Sequence, residues 1–437
     1  MAAPPSRRAS PPVLPDELVE EILLRLPPED PACLVRASLV CKTWGCAVSR
    51  PIFRRLLHEH HGTAPVLGFL HNWPSERIPN FMPTTASPFS LAAPDRRVWQ
   101  AVDCRHGRAL YLSEYEDQGT QELLVWEPTT GRQRRVFLPA AFNCRYPNAA
   151  VFCAADACDH RDCHGGPFCV VLVFRKSSGS DEYDSDDEEH LTSACVYSSE
   201  TDTWGEPTST HVQFAMDFGY YSSVLVGRSL LYFMSDFWLI VEYDWARHSV
   251  RVFEVPDEAG DGERCTLMLA DDGGLGVTEL TEDLNPHLKL WSRVASDVTD
   301  ARWVLSRVIN LEKLLPIGAL VRNVGLLVVG FAEGANVIFV NTVAGLFAIE
   351  LQSGRVNMVC HDQGPCRLIP VVTFYTPVPR NRHQDLRLSN AAKVLGGQEE
   401  RGEQDTTVDR AQQLFDDGSN AIKEGTTSRP SNVSAMS

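Results

Sequence analysis

Four stretches of this chain repeat one plan, and that plan restricts the fold more than any other feature. LLVWEPTTGRQRRVFLP (123–139), ACVYSSETDTWGEP (194–207), LIVEYDWARHSVRVFEVP (239–256) and LFAIELQSGRVNMVC (346–360) each run from an apolar strand through a polar turn into a second strand. Apolar side chains alternate, the turns are rich in Thr, Ser, Gly or Asp, and Val136, Trp204, Val252 or Val356 then re-enters the core. Such hairpins cannot bury both faces alone, so they must stack on one another. Further strand candidates lie between them: ALYLS (109–113), FCVVLVF (168–174), SVLVGRSLLYFM (223–234), LGVTEL (275–280), LKLWSRV (288–294) and NVIFVNTV (336–343). Roughly 310 residues at about 45 per four-stranded blade predict a β-propeller of six or seven blades over 65–377. A solenoid or a pair of β-sandwiches would satisfy the same pattern less economically.

The residues before 64 have a different period. Pro15 suits a first helical turn that needs no amide donor, and Asp16, Glu17, Glu20 and Glu21 crowd the start of a helix that Arg25 ends. Pro27 and Pro28 stop it, and Asp30 before Pro31 predicts an N-cap and a second helix carrying Leu34 and Val35. Val40, Trp44, Ala47 and Val48 share a face, and after Pro51 so do Phe53, Leu56, Leu57 and His60. His58, Glu59, His60 and His61 lack the spacing that sets two imidazoles on one helix face and read as a helix terminus. A module of roughly 45 residues buries too little surface to stand comfortably alone. Leu14, Leu18, Ile22 and Leu26 exceed its own needs, which predicts either a partner groove or packing against the chain's second domain.

The run LPDELVEEILLRLPPEDPACLVRASLVCKTWGCAVSRPIF (14–53) closely resembles an F-box. The resemblance implies an adaptor that docks on a Skp-type protein, and through it a cullin, within a ubiquitin ligase. It assigns that contact to Leu14, Pro15, Leu18, Ile22, Leu26, Pro27, Leu34, Val40, Cys41 and Trp44. The later chain is similar to the F-box-associated, kelch-like β-propeller region that follows the F-box in many plant proteins, on the strength of LLVWEPTTGR, DDGGLGV with LKLWSRV, and ELQSGRV. The expected architecture is thus multidomain α plus all-β: a disordered start (1–12), a helical F-box (13–60), the propeller (65–377) and a mostly disordered tail (380–437).

Composition narrows the function. With 437 residues, 43% apolar and 22% charged, the chain reads as a folded protein of at least two domains. A formal net charge of −17 argues against nonspecific binding to nucleic acid or an anionic membrane. The first residues have no apolar core of signal-peptide length and no stretch approaches a membrane span, so a cytoplasmic or nuclear setting is expected, with the thirteen cysteines reduced. Nucleophile elbows, phosphate loops and dinucleotide fingerprints are missing, which predicts a non-catalytic protein without a cofactor.

Three local features stand apart. CAADACDHRDCHGGPFC (153–169) is dense in thiols and imidazoles, and Cys158, His160, Cys163 and His164 are candidate zinc ligands. Their spacing is not that of a standard finger and would require an awkward local wrap, so an ordinary polar interblade loop is the preferred reading. KSSGSDEYDSDDEEH (176–190) predicts a solvated acidic loop in which Ser178 and Ser185, each with an acidic residue three positions on, suit acid-directed phosphorylation. Within the tail, AQQLFDDGSNAIKEG predicts an amphipathic helix over 410–424 that resembles the first helix of a tetratricopeptide-type repeat.

The expected function is a substrate-recognition adaptor whose F-box holds the ligase while the propeller presents a client protein for ubiquitination. Phe237 and Trp238 are candidate anchors for that client, although burial within a blade is their expected role. The competing expectation is a propeller scaffold or ligand sensor whose F-box-like segment does not dock.

Overall fold

The computed structural model describes residues 14–72, 80–84, 99–113, 121–142, 144–160, 163, 165–176, 190–213, 216–218, 223–236, 238–256, 264–281, 286–294, 301–320, 325–361 and 368–377. Four helices come first: α1 (Asp16–Leu24), α2 (Pro31–Ser38), α3 (Lys42–Val48) and α4 (Pro51–His61). Proline is the first residue of α2 and of α4, where the missing amide donor costs nothing. Asp30 caps α2, its Oδ1 accepting the Ala32 N–H at 3.1 Å. Gly62 ends α4 with a positive φ of 77°.

Six sheets follow. The first begins with β1 (Val66–His71) and β2 (Asn80–Pro83). The second holds β3 (Trp99–Arg105), β4 (Arg108–Ser113), β5 (Glu122–Trp126) and β6 (Gln133–Phe137). The third holds β7 (Cys144–Cys153), β8 (Phe168–Lys176), β9 (His190–Ser198), β10 (Thr203–Trp204) and β11 (Thr208–Val212), the last two both pairing β9. β12 (Ser223–Val226), β13 (Leu230–Met234), β14 (Leu239–Asp244) and β15 (Ser249–Glu254) make the fourth. β16 (Cys265–Leu269), β17 (Leu275–Leu280), β18 (His287–Val294) and β19 (Arg302–Asn310) make the fifth. The sixth holds β20 (Leu327–Ala332), β21 (Val337–Thr342), β22 (Gly345–Glu350) and β23 (Val356–Cys360). β24 (Leu368–Val372) then returns to the first sheet, antiparallel to β1, with Phe69 opposite Pro370 and Leu70 opposite Ile369.

These sheets are the blades of a β-propeller, and the number of blades is six. β24 touches β3 on one side and β20 on the other, β3 touches β7, and β16 touches β12 and β20, so the axis is lined by β24 in the first blade and by the first strand of each later one. The two-residue alternation of a strand sends neighbours to opposite gaps. On β4, Leu110 and Leu112 join the core shared with the third blade, whereas Ala109 and Tyr111 join the core shared with the first. On β8, Val170, Leu172 and Phe174 face the second blade, and Val171 and Val173 face the fourth. Each gap is filled in this way by its own apolar layer, and a fully buried Leu or Phe in such a layer stabilises by about 2 kcal/mol.

The four repeated stretches are the third and fourth strands of the second, third, fourth and sixth blades. A left-handed residue stands at the same place in each turn: Gly131 (φ 74°), Asp202 (φ 58°), His248 (φ 51°) and Gly354 (φ 68°). Gly131, Asp202 and Gly354 donate their N–H to the carbonyls of Glu127, Ser198 and Glu350 at 2.8, 2.9 and 2.8 Å. The fifth blade departs from the repeat because residues 295–301 separate β18 from β19. Neighbouring blades are also stitched at their outer edges. Trp204 donates its indole N–H to the Phe137 carbonyl at 2.9 Å, and Trp303 does the same to Glu254 at 3.1 Å.

Lys176 ends β8 and His190 starts β9; the acidic residues between them, with Ser178 and Ser185, lie outside the described residues, as do 1–12, 380–437 and the expected helix 410–424. Among the described residues no helix is long and apolar enough to cross a membrane.

Candidate functional site

The helical module divides its apolar side chains between two faces. Val19 and Leu23 of α1 join Leu34, Ala37, Ala47, Val48, Phe53 and Leu57 in one core. Leu14, Leu18 and Ile22 point the other way and are 45, 47 and 42% exposed. Leu39, Val40 and Ile52 are exposed as well, and Pro15, Pro27 and Cys41 lie at the surface. Not every residue assigned to adaptor contact belongs to this face. Leu34 is 2% exposed and sits in the core, while Leu26 and Trp44 are half-buried and lean on it.

The inner side of the module is covered by the chain's own exit from the propeller. Phe374 is buried within the helical core, and its ring lies 4.4 Å from that of His58 at 76°. Arg54 donates through Nη2 to Thr376 Oγ1 at 2.7 Å, and Ser49 donates to the Pro377 carbonyl at 3.0 Å. His61, in the last turn of α4, donates through Nε2 to the Leu24 carbonyl at 2.7 Å. Segment 373–377 therefore closes the inner face of the module, while Leu14, Leu18 and Ile22, three of the four residues expected to exceed the module's own needs, are left open.

The axis of the propeller is crossed by a buried ionic cluster. Arg105, at the end of β3, donates to Asp103 Oδ2 at 3.0 Å, to both carboxylate oxygens of Glu333 at 2.9 and 2.7 Å, and to the Ser223 carbonyl at 3.0 Å. Asp103 Oδ2 also accepts the Val151 N–H at 2.8 Å, and Glu333 Oε1 accepts the Leu225 N–H at 3.0 Å. The Arg105 guanidinium thus ties the second, fourth and sixth blades, and Asp103 adds the third. Burial pushes the Asp103 carboxyl up to about 6, because the loss of water outweighs the neighbouring Arg105 charge.

The thiol-rich stretch is brought together more tightly than its spacing suggests. Cys153 closes β7, and Cys158, His160 and Cys163 fold back onto it, their ligand atoms all within 4.8 Å of one another. Cys153 joins Cys158, His160 and Cys163 in this group, and His164 lies outside the described residues. Trp238 is half-buried in a turn with a φ of 55°, and Phe237 lies outside the described residues.

Comparison with known proteins bears on the helical module alone. Residues 12–56 match the F-box domain family. No curated protein matches the chain. Among solved structures, an acylaminoacyl peptidase from Pyrococcus horikoshii shares 11% identity over 59% of this chain and 37% of its own, with a TM-score of 0.33. The RRP9 WD40 repeats share 11% over 72% and 85%, at 0.34, and TolB from Acinetobacter baumannii shares 12% over 74% and 71%, at 0.34. The chain spans about two-fifths of the peptidase's length, and likenesses at these scores carry nothing about activity.

Proposed function

Because the chain carries an F-box domain ahead of a six-bladed β-propeller, we propose that it is the substrate-recognition adaptor of a Skp-cullin-F-box ubiquitin ligase. An F-box domain implies an adaptor role, and the observation that carries the finer reading is the open stripe of α1. Leu14, Leu18 and Ile22 remain exposed although the core of the module is closed on its other side by Phe374. Leu18 and Ile22 one turn apart on α1, with Leu14 just ahead of its start, form the kind of row an apolar groove accepts, and seating one such leucine fully contributes about 2 kcal/mol. Pro15, Pro27, Val40 and Cys41 border that contact, while Leu34, Leu26 and Trp44 act through the packing beneath it. Ubiquitin transfer belongs to other subunits, and the complex works in the cytoplasm or nucleus.

The propeller is the client-binding half. The Arg105 cluster crosses its axis, which directs a client toward the rims and outer strands. β19 offers Val304, Leu305 and Val308 there as exposed apolar anchors. Co-purification of the intact chain with a panel of Skp-type adaptors tests the reading. Leu18→Asp with Ile22→Asp should abolish capture while leaving the thermal midpoint unchanged, since both side chains are already exposed. An intact chain that captures no Skp-type adaptor would instead make the protein a propeller scaffold with a non-docking F-box.

A further inference from the structure

The geometry of the β7–β8 connection points to a zinc site formed by Cys153, Cys158, His160 and Cys163. Sγ of Cys158 and Sγ of Cys163 are 3.5 Å apart, and Nδ1 of His160 is 3.4 Å from the Cys163 sulfur. A tetrahedral zinc with Zn–S near 2.3 Å and Zn–N near 2.0 Å sets S···S edges of about 3.8 Å and S···N edges of about 3.5 Å. Bonded sulfurs in a disulfide would be only about 2.0 Å apart. Three thiolates and one imidazole form a closed donor set of the structural zinc type, whereas calcium and magnesium take oxygen ligands and iron–sulfur clusters are usually held by four cysteines.

The chain wraps by means its spacing does not reveal. Cys153 arrives from the end of a rigid inner strand, which supplies the separated ligand missing from the local Cys158, His160 and Cys163 group. Ala157 and His160 both take left-handed φ values, 53° and 58°, and the His160 N–H points to the Cys158 sulfur at 3.4 Å. A left-handed alanine is uncommon and persists where its surroundings hold it. The second blade provides those surroundings. Arg108, 1% exposed, donates through Nη2 to the carbonyls of Cys163 and Gly166 at 2.6 and 2.9 Å. Glu127 accepts the Gly165 N–H at 3.0 Å. His106 accepts the Cys153 N–H at 3.1 Å and lies flat against His160, centroids 4.0 Å apart. Ligands held from outside by fixed hydrogen bonds and packing are the mark of a built metal site.

The metal would act at a distance as well. Asp159, between two of the ligands, approaches Arg55 of α4 at 3.9 Å. Fixing Cys158 and His160 would hold the backbone of Asp159, whose half-exposed side chain approaches α4.

The test is elemental analysis of the full-length chain, purified without an affinity tag, in reducing buffer and with no added metal. One zinc per chain is expected, and cobalt exchanged into the protein should give the charge-transfer and d–d absorption of a tetrahedral thiolate site. Trace zinc together with failure to take up zinc or cobalt would overturn the site whatever the behaviour of any variant. Ligand identity is tested separately: Cys153→Ser should lose the metal and His164→Ala should keep it. The reverse pattern would overturn the ligand set assigned here.

Discussion

Phe374 and His58 meet edge to face at 4.4 Å, and through that contact the end of the propeller becomes part of the F-box core. Phe374→Ala leaves a cavity beneath α4, and a buried Phe→Ala change costs about 3–5 kcal/mol. Chemical denaturation should show this loss. A change below about 1 kcal/mol would mean that the helices pack without the exit segment.

The two faces of α1 should separate under mutation. Leu23→Ala removes a buried side chain and is expected to cost about 2–5 kcal/mol, whereas Leu18→Ala should stay within about 0.5 kcal/mol of the parent. Capture of a Skp-type adaptor should follow the opposite ranking once Leu23→Ala is assayed below its unfolding temperature. Equal stability losses at the two positions would show that the stripe is already covered.

The axial cluster predicts a pH dependence of definite sign. Asp103 titrates at about 6 in the folded protein against an ordinary 3.8, facing Arg105, Glu333 and Cys104. The folded state therefore holds the proton more tightly, so this contribution is complete below about pH 4 and is lost as pH rises through about 6, on the order of 2–3 kcal/mol. Urea unfolding between these values should show the decline, and Asp103→Asn should flatten it. An unchanged slope in Asp103→Asn would remove Asp103 as its source. Arg105→Ala, which strands two carboxylates on the axis, is expected to cost about 3–5 kcal/mol.

The hairpin turns allow a paired comparison. Gly131→Ala puts a side chain on a left-handed residue and should cost roughly 1–2 kcal/mol. His248→Gly relieves the same conformation but adds glycine's entropy, so it should lie within about 0.5 kcal/mol of the parent. Similar losses for both would show that the two turns are not equivalent.

What could be read in advance follows from where each element lies. The outer hairpins were legible because they alternate along the strand and carry turn chemistry between short strands. Inner strands such as β7 and β20 are packed between neighbouring blades on both faces, so their apolar residues run together without alternation. The leucine row of α1 was legible except at Leu26. Twelve residues at 100° each carry Leu26 about 120° around from Leu14, and α1 has already ended at Leu24. Spacing hides Cys153 as a ligand because it ends a strand, and Cys158, His160 and Cys163 turn back to it through left-handed residues at Ala157 and His160. The axial cluster could not be read at all, since Arg105 and Glu333 lie 228 positions apart and meet only when the ring closes.

That closure has a consequence in time. Thr376 lies 322 positions after Arg54, so at roughly 5–20 residues per second a ribosome finishes the F-box helices tens of seconds before it makes the residues that complete their core. The first module to emerge is thus among the last to be finished. A nascent or broken chain that never forms β24 also lacks Phe374 in place, which ties the soundness of the F-box helices to the completion of the ring.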